Sequence, residues 1–327
     1  AGTSRARVPA EVNDLLGLAL PGGPAFVDEL RRAWDAGDAV APIDLRLPPA
    51  AREQALAAIR PTVIVDEHDR HRVPHGEPVA DGDALVMTTS GTSGAPKGVV
   101  LTHDGVAAAA RATSAALDVD PATDRWLACL PLAHVGGLSV LTRALRTDTP
   151  VEVHPGFDAA AVVDAARRGA TLVSLVPAVL SRLDPSVFRR ILLGGSAIPA
   201  DRPANSVATY GMTETGGGLV YDGLPLDGVE VRVVDGEIQL RAPMVLRCYR
   251  DGTDPRTADG WFPTGDGGTF VDGALAVDGR LTDVIVTGGE KVWPAPVEER
   301  LRDHPAVAEV AVVGRTDPQS VSYTHLR

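Results

Sequence analysis

The sequence predicts an α/β protein, with a large layered α/β domain that runs into an antiparallel β region. Three observations carry this. Apolar runs of strand length alternate with helical patterns as far as Leu193. From Gly228 onward the runs shorten and fall between glycine and aspartate turns. The chain has 327 residues, 44% of them apolar, which exceeds the usual single domain and is ordinary for a folded core.

The runs Thr62–Val65, Ala84–Met87, Trp126–Leu130, Thr171–Val176 and Ile191–Leu193 read as buried strands. Between them Gly105–Leu117, Gly136–Leu145 and Asp158–Arg168 carry helical patterns, and the alanines Ala107–Ala110 are helix filler. Such alternation argues mostly parallel pairing. Val229–Val234, Glu237–Arg241, Gly268–Val271 and Ala274–Val277 follow as short strands of the antiparallel region. Val297-Glu298-Glu299-Arg300-Leu301 begins a helix after Pro294, since helix starts accept proline in their first turn. No repeat and no low-complexity linker interrupts the chain.

Composition narrows the function classes. A formal net charge of -12 argues against a general nucleic-acid binder. Anionic substrates must then meet local basic groups and backbone donors. Cys129 and Cys248 have no metal-ligand spacing and read as reduced, small apolar residues. No apolar stretch is long enough to span a membrane, and Leu15–Leu20 is too short for a leader core. A cytoplasmic enzyme is the class that remains.

The segment richest in chemistry is Thr88-Thr89-Ser90-Gly91-Thr92-Ser93-Gly94-Ala95-Pro96-Lys97-Gly98. It reads as a strand, a hydroxyl- and glycine-rich loop, and then a helix. Successive N–H groups in such a loop form a concave anion site. The hydroxyls add donors, and Lys97 adds a compact positive charge suited to phosphate. Lys97 and Lys291 are the only lysines among 31 basic residues, and both sit in glycine-rich loops. The loop is not a Walker A sequence, because Pro96 precedes Lys97 and Gly98 follows it, leaving no hydroxyl for magnesium.

Elsewhere, Leu130-Pro131-Leu132-Ala133-His134-Val135-Gly136-Gly137-Leu138 follows an apolar run, and its His134 reads by itself as a structural histidine. In Val207-Ala208-Thr209-Tyr210-Gly211-Met212-Thr213-Glu214-Thr215-Gly216-Gly217-Gly218, a short strand ends in an aromatic residue, then a glycine, hydroxyls and a carboxylate. Tyr210 offers a flat face to a base, and Glu214 is a hard oxygen ligand of the kind magnesium takes. In Gly260-Trp261-Phe262-Pro263-Thr264-Gly265-Asp266 a carboxylate follows a tight turn and can accept two hydrogen bonds from a diol, although such an Asp is often only a turn former.

Taken in order, with Gly279-Arg280-Leu281-Thr282-Asp283 and Thr287-Gly288-Gly289-Glu290-Lys291-Val292-Trp293-Pro294, these segments resemble the adenylate-forming family of acyl-CoA synthetases, adenylation domains and luciferases. The resemblance covers roughly residues 84 to 314 and adds an incomplete small α+β C-terminal domain to the expected fold. It implies ATP, Mg2+ and CoA as cofactor and co-substrates. It implies that Thr89, Ser90, Gly91, Thr92, Ser93, Gly94 and Lys97 hold the ATP phosphates. Gly195, in Leu192 to Pro199, and Gly211 would lie beside the nucleotide, and Tyr210 would stack on adenine. Thr213 would bond the α-phosphate, Glu214 would bind the metal, and Asp266 and Arg280 would fix the ribose. His134 would stand beside the acyl pocket, and Gly288 and Gly289 along the pantetheine path. Pro263 and Gly267 depart from the family pattern, which often has a polar and an apolar residue there. Within the family the chain resembles the o-succinylbenzoate–CoA ligases of menaquinone synthesis, on Gly217 to Val229, on Gly289-Glu290-Lys291-Val292 and on a compact N-terminal part.

The implied organisation is an AMP-binding domain over 1–279 and a partial C-terminal domain over 280–327, with a hinge at Thr282 and a foreign tail from about residue 320. The family's late lysine has no counterpart after Lys291, so a truncated enzyme is expected. The implied reaction joins a carboxylic acid to AMP and then to CoA. The acid, ATP and CoA are the expected partners, with a second copy of the chain as the candidate protein partner. The alternatives are a ligase for another aryl or fatty acid, a carrier-loading adenylation domain, a non-catalytic nucleotide-binding fragment, and a phosphotransferase that releases ADP.

Overall fold

The computed structural model describes residues 13–90, 95–287, 290–302, 304, 307, 309–315 and 323–326. They form two compact units. The first holds the residues up to Tyr221 with Leu226–Gly228 and Ala242–Pro255; the second holds Asp222–Pro225, Val229–Arg241 and the residues from Arg256 on.

The first unit contains two twisted sheets with helices between strands. One sheet has the order Cys248–Tyr249, Pro96–Thr102, Asp83–Ser90, Ala39–Pro42, Leu15–Leu18, Val63–Val65, Arg70–Arg72. Its centre is parallel: Leu15–Leu18 lies between Ala39–Pro42 and Val63–Val65. Leu15–Leu18 and Ala39–Pro42 are buried along their whole length, so their apolar runs are continuous rather than alternating. Helix Pro24–Asp35 connects them and turns Phe26, Leu30 and Ala33 inward at helical spacing; it opens on proline, as does Pro49–Ile59. Leu15, Ala39, Ala41, Ile59, Val86 and Val100 form one core cluster.

The other sheet places Gly217–Tyr221, Ser206–Met212, Arg190–Leu193, Leu172–Leu175, Trp126–Ala128 and Val151–Val153 side by side. All its neighbours in that series are parallel except Ser206–Met212 with Gly217–Tyr221. Leu127, Val162, Val173, Leu175, Ile191 and Leu193 form its core with Phe188. Helix Ala159–Arg167 starts where the Asp158 carboxylate accepts from Ala161 N–H at 2.8 Å.

The expected strand–loop–helix around Lys97 needs correction. The chain between Ser90 and the helix contains a second strand, Pro96–Thr102, antiparallel to Asp83–Ser90. Val99, Val100 and Leu101 are apolar, two of them β-branched, and buried, which favours strand over helix. The helix begins only at His103, where the Thr102 hydroxyl accepts from Gly105 N–H at 3.1 Å.

In the second unit, Glu230–Val234, Glu237–Arg241, Phe262–Val271 and Ala274–Arg280 form an antiparallel sheet in chain order. The last two strands run longer than the sequence suggested. Beyond them lie the pair Ile285–Thr287 and Glu290–Val292, helix Pro294–Arg302, and strand Val312–Arg315 paired antiparallel with Tyr323–Leu326. The six-membered ring of Trp293 packs on Gly267: a Cβ at that glycine would stand 2.1 Å from the indole.

Candidate active site

The hairpin fixes Lys97 by register. Thr88 faces Gly98, Thr89 faces Lys97 and Ser90 faces Pro96. Proline is tolerated there because it stands first in its strand. Gly91, Thr92, Ser93 and Gly94 lie outside the described residues. The Lys97 ammonium stands 4.7 Å from the centre of the Tyr249 ring. The hydroxyl of the same tyrosine donates to Glu214 Oε1 at 3.1 Å. Glu214 belongs to the 3-10 turn Thr213–Thr215, which packs on both hairpin strands. Its carbonyl accepts from Leu246 N–H at 2.7 Å, and Thr213 carbonyl accepts from Gly216 N–H at 3.1 Å. Tyr249 therefore touches the cation with its ring face and the carboxylate with its hydroxyl.

Tyr249 was not singled out from the sequence. Its strand is two residues long and carries no motif. It is nevertheless firmly held. Cys248 and Tyr249 pair with Val100 and Val99. On one side Arg247 forks onto the fully buried Asp83 carboxylate with two bonds of 2.7 Å. On the other, Arg250 donates to the carbonyls of Ile59 and Pro78 at 2.9 Å each, and to that of Glu77.

Strand Ser206–Met212 carries Thr209, the half-buried Tyr210 and Gly211. Gly211 is required by close approach: a Cβ there would meet the Gly217 carbonyl oxygen at 2.1 Å. Thr209, Gly211 and Gly195 line a cavity of about 120 Å³ together with Leu175, Tyr221 and Arg143. Arg143 was also missed, because it reads as one more arginine on a helix. Helix Val135–Arg146 is buried on most sides, and Arg143 goes in with it at 5% exposure. Its guanidinium stacks 4.7 Å over the Trp126 ring. Its Nη1 has no hydrogen-bond acceptor among the described residues. Burial pulls its pKa below the usual arginine value.

His134 caps that helix as its last extended residue, and Val135 and Gly136 after it line the cavity. Its ring is largely exposed, with Nε2 at 3.3 Å from Asp44 Oδ2 and 2.9 Å from Arg46 Nη2. Hydrogen bonds from the Arg46 side chain hold Asp44 at a pKa of about 2 against the opposing effect of burial. Cys129 is sealed in the core, and burial pushes its thiol up to about 12, as an inert apolar residue requires.

Asp266 and Arg280 belong to the second unit and are register partners. Arg280 Nε reaches Asp266 Oδ1 at 3.0 Å, and Arg280 Nη1 donates to Thr264 carbonyl at 3.2 Å. Asp266 is a buried strand residue, at 6% exposure, which sets aside the turn-former alternative. Gly288 and Gly289 lie outside the described residues.

Among the described residues no cluster of three or more His, Cys, Asp or Glu side chains could hold a metal ion. A single carboxylate, Glu214, does suit magnesium carried on nucleotide phosphates, because that ion takes one or two carboxylates and completes its shell with phosphate and water.

Comparison with known proteins identifies relatives of the whole fold. The family model of AMP-binding enzymes matches residues 66–250, and that of the AMP-binding enzyme C-terminal domain matches 282–322. A Mycobacterium tuberculosis protein named "Probable 2-succinylbenzoate–CoA ligase" is 41% identical over 271 residues, covering 74% of this chain and 70% of its own. The 2-succinylbenzoate–CoA ligase of Bacillus anthracis is 36% identical over 274 residues, 71% of this chain, but this chain spans only 57% of it. The o-succinylbenzoate CoA synthetase of Bacillus subtilis, in complex with its acyl-adenylate intermediate, superposes with a TM-score of 0.84 at 27% identity, over 96% of this chain and 78% of that one. The same enzyme with ATP and magnesium gives 0.81 at 27% identity, over 96% and 79%. The chain belongs to the AMP-binding enzyme family.

Proposed function

We propose that the chain is an AMP-forming acid–CoA ligase whose acid is o-succinylbenzoate, as in the synthesis of menaquinone. One observation carries the choice of acid. Arg143 places a buried cation with an unused donor at an apolar cavity. A buried charge is tolerable when an opposite charge joins it. An acid with a second carboxylate on its aromatic ring supplies that charge. A fatty acid or plain benzoate does not.

In the reaction, one oxygen of the acid's reacting carboxylate attacks the α-phosphorus of ATP. Pyrophosphate leaves, and acyl-AMP forms. The sulfur of CoA then attacks the acyl carbon, its proton goes to solvent, and AMP leaves. The protein positions and neutralises charge. Lys97, with Thr89, Ser90, Gly91, Thr92, Ser93 and Gly94, holds the departing phosphates. Thr213 bonds the α-phosphate, and Glu214 holds magnesium, which screens the phosphate charge when bound. Tyr210 stacks on adenine between Gly195 and Gly211, and Asp266 with Arg280 fixes the ribose. His134 stands at the acyl side, and Gly288 with Gly289 guides the CoA arm. A boundary at Gly279 and a hinge at Thr282 fit the start of the C-terminal family match at residue 282. A cytoplasmic, homodimeric enzyme with no nucleic-acid partner completes the reading.

Isothermal titration with non-hydrolysable adenylate analogues tests it. The o-succinylbenzoyl analogue should bind at least about tenfold more tightly than the benzoyl analogue, in line with a hydrogen bond to a charged group. Arg143→Met should erase that difference. Equal binding of the two analogues by the unaltered protein would sink the choice of acid. Release of ADP rather than AMP on turnover would sink the reaction.

A further inference from the structure

Tyr249 touches both charged groups of the proposed phosphate site with different parts of one side chain. The ring face meets the Lys97 ammonium at 4.7 Å, and the hydroxyl meets Glu214 Oε1 at 3.1 Å. Among the described residues, neither Lys97 nor Glu214 enters an ion pair, although each is half-buried. Opposite charges left free at such a site attract, since a partly desolvated medium strengthens the pull. An ion pair between them would consume the charge that each must offer to phosphate or metal.

The backbone around Tyr249 is built to resist displacement. Its strand pairs with the strand that carries Lys97, and its neighbours Arg247 and Arg250 fasten it to buried Asp83 and to three carbonyls. Two arginines thus hold a segment that is also tied to the site by its backbone, through Leu246 N–H to the Glu214 carbonyl and Arg250 N–H to the Gly98 carbonyl, each at 2.7 Å. Catalytic groups need such locked supports to keep their geometry.

We propose that Tyr249 is a positioning residue for phosphate and magnesium, a spacer that holds Lys97 on its ring and Glu214 on its hydroxyl so that both charges stay apart and available. This rests on the proposed roles of Lys97 and Glu214. The spacer has two separable halves. Phenylalanine keeps the aromatic face for the lysine and removes only the hydroxyl for the carboxylate. Alanine removes both.

The test is titration of ATP into this chain at several magnesium concentrations and in EDTA, with thermal melting as a check of folding. Tyr249→Phe should weaken ATP binding about three- to tenfold in low magnesium, leave it unchanged in EDTA, and be rescued by excess magnesium. Tyr249→Ala should weaken binding in EDTA as well, because Lys97 loses its support. If Glu214→Gln abolishes the magnesium dependence while Tyr249→Phe, normally folded, binds like the unaltered protein at every magnesium level, the spacer role is wrong and the site reading stands. If Glu214→Gln and Lys97→Ala leave ATP binding unchanged, the site reading fails and the spacer role fails with it.

Discussion

Lys97 carries one positive charge on a thin stem near the loop end of a hairpin. Lys97→Ala should cost about 1.5–3 kcal/mol of ATP binding, the usual worth of a hydrogen bond to a charged group. Binding of an acyl analogue without phosphate should not change. Calorimetric titration of both ligands decides it. Asp44 allows a prediction in pH. Its folded pKa lies below the ordinary 3.8, at about 2, mainly through the Arg46 side chain. A depressed carboxylate contributes stability above its unfolded pKa and loses it as pH falls toward the folded one. Asp44→Asn should therefore melt below the unaltered protein at pH 5, and the gap should close between about pH 4 and pH 2. A gap that stays constant over that range would contradict the role of Arg46. At this scale the sequence singles out groups that stand in a local motif, as in Thr213-Glu214. It was silent on Tyr249 and Arg143, whose partners lie far off in the chain and whose own surroundings carry no motif.

Elements were legible in type more than in extent. In the second sheet, Trp126–Ala128, Leu172–Leu175 and Arg190–Leu193, with helices Val135–Arg146 and Ala159–Arg167, were predicted within a residue or two, whereas Val151–Val153, three residues long, was missed. The hairpin was not predicted. Pro96–Thr102 begins with proline and runs straight into an alanine-rich helix, so its residues fell unassigned between the predicted loop and the helix predicted from Gly105. Leu15–Leu18 and Ala39–Pro42, four residues each, were also missed. The tight strand pairing beside Tyr210 yields a prediction of its own. Gly211→Ala would force backbone apart where a Cβ has 2.1 Å of room. Overpacking of that kind costs about 1–3 kcal/mol. Urea unfolding should show it as a lower midpoint, and an unchanged midpoint would mean that the two strands are free to separate.

For the molecule as a whole, the predicted groups divide between the two units. Lys97, Glu214, Tyr210, Gly195 and His134 belong to the first, and Asp266 with Arg280 to the second. Family resemblance supplied this set; hydropathy alone gave only the change of pattern near Gly228. The net charge of -12 leaves anionic substrates dependent on those few cations.

The seat of Trp293 on Gly267 has an optical consequence. The half-buried indole is partly shielded from water, so its emission lies to the blue of a free indole. Anything that lifts the segment after Val292 off the strand Phe262–Val271 must wet that ring. The protein thus contains its own reporter for the attachment of its C-terminal segment. Gly267→Leu should fill the seat, shift the emission to the red and speed quenching by acrylamide. The shift should disappear in the Trp293→Phe background, where the other three tryptophans remain as an internal reference. With the reporter calibrated in this way, the same wavelength can be followed while ATP or CoA is added, and the segment's detachment read directly as colour.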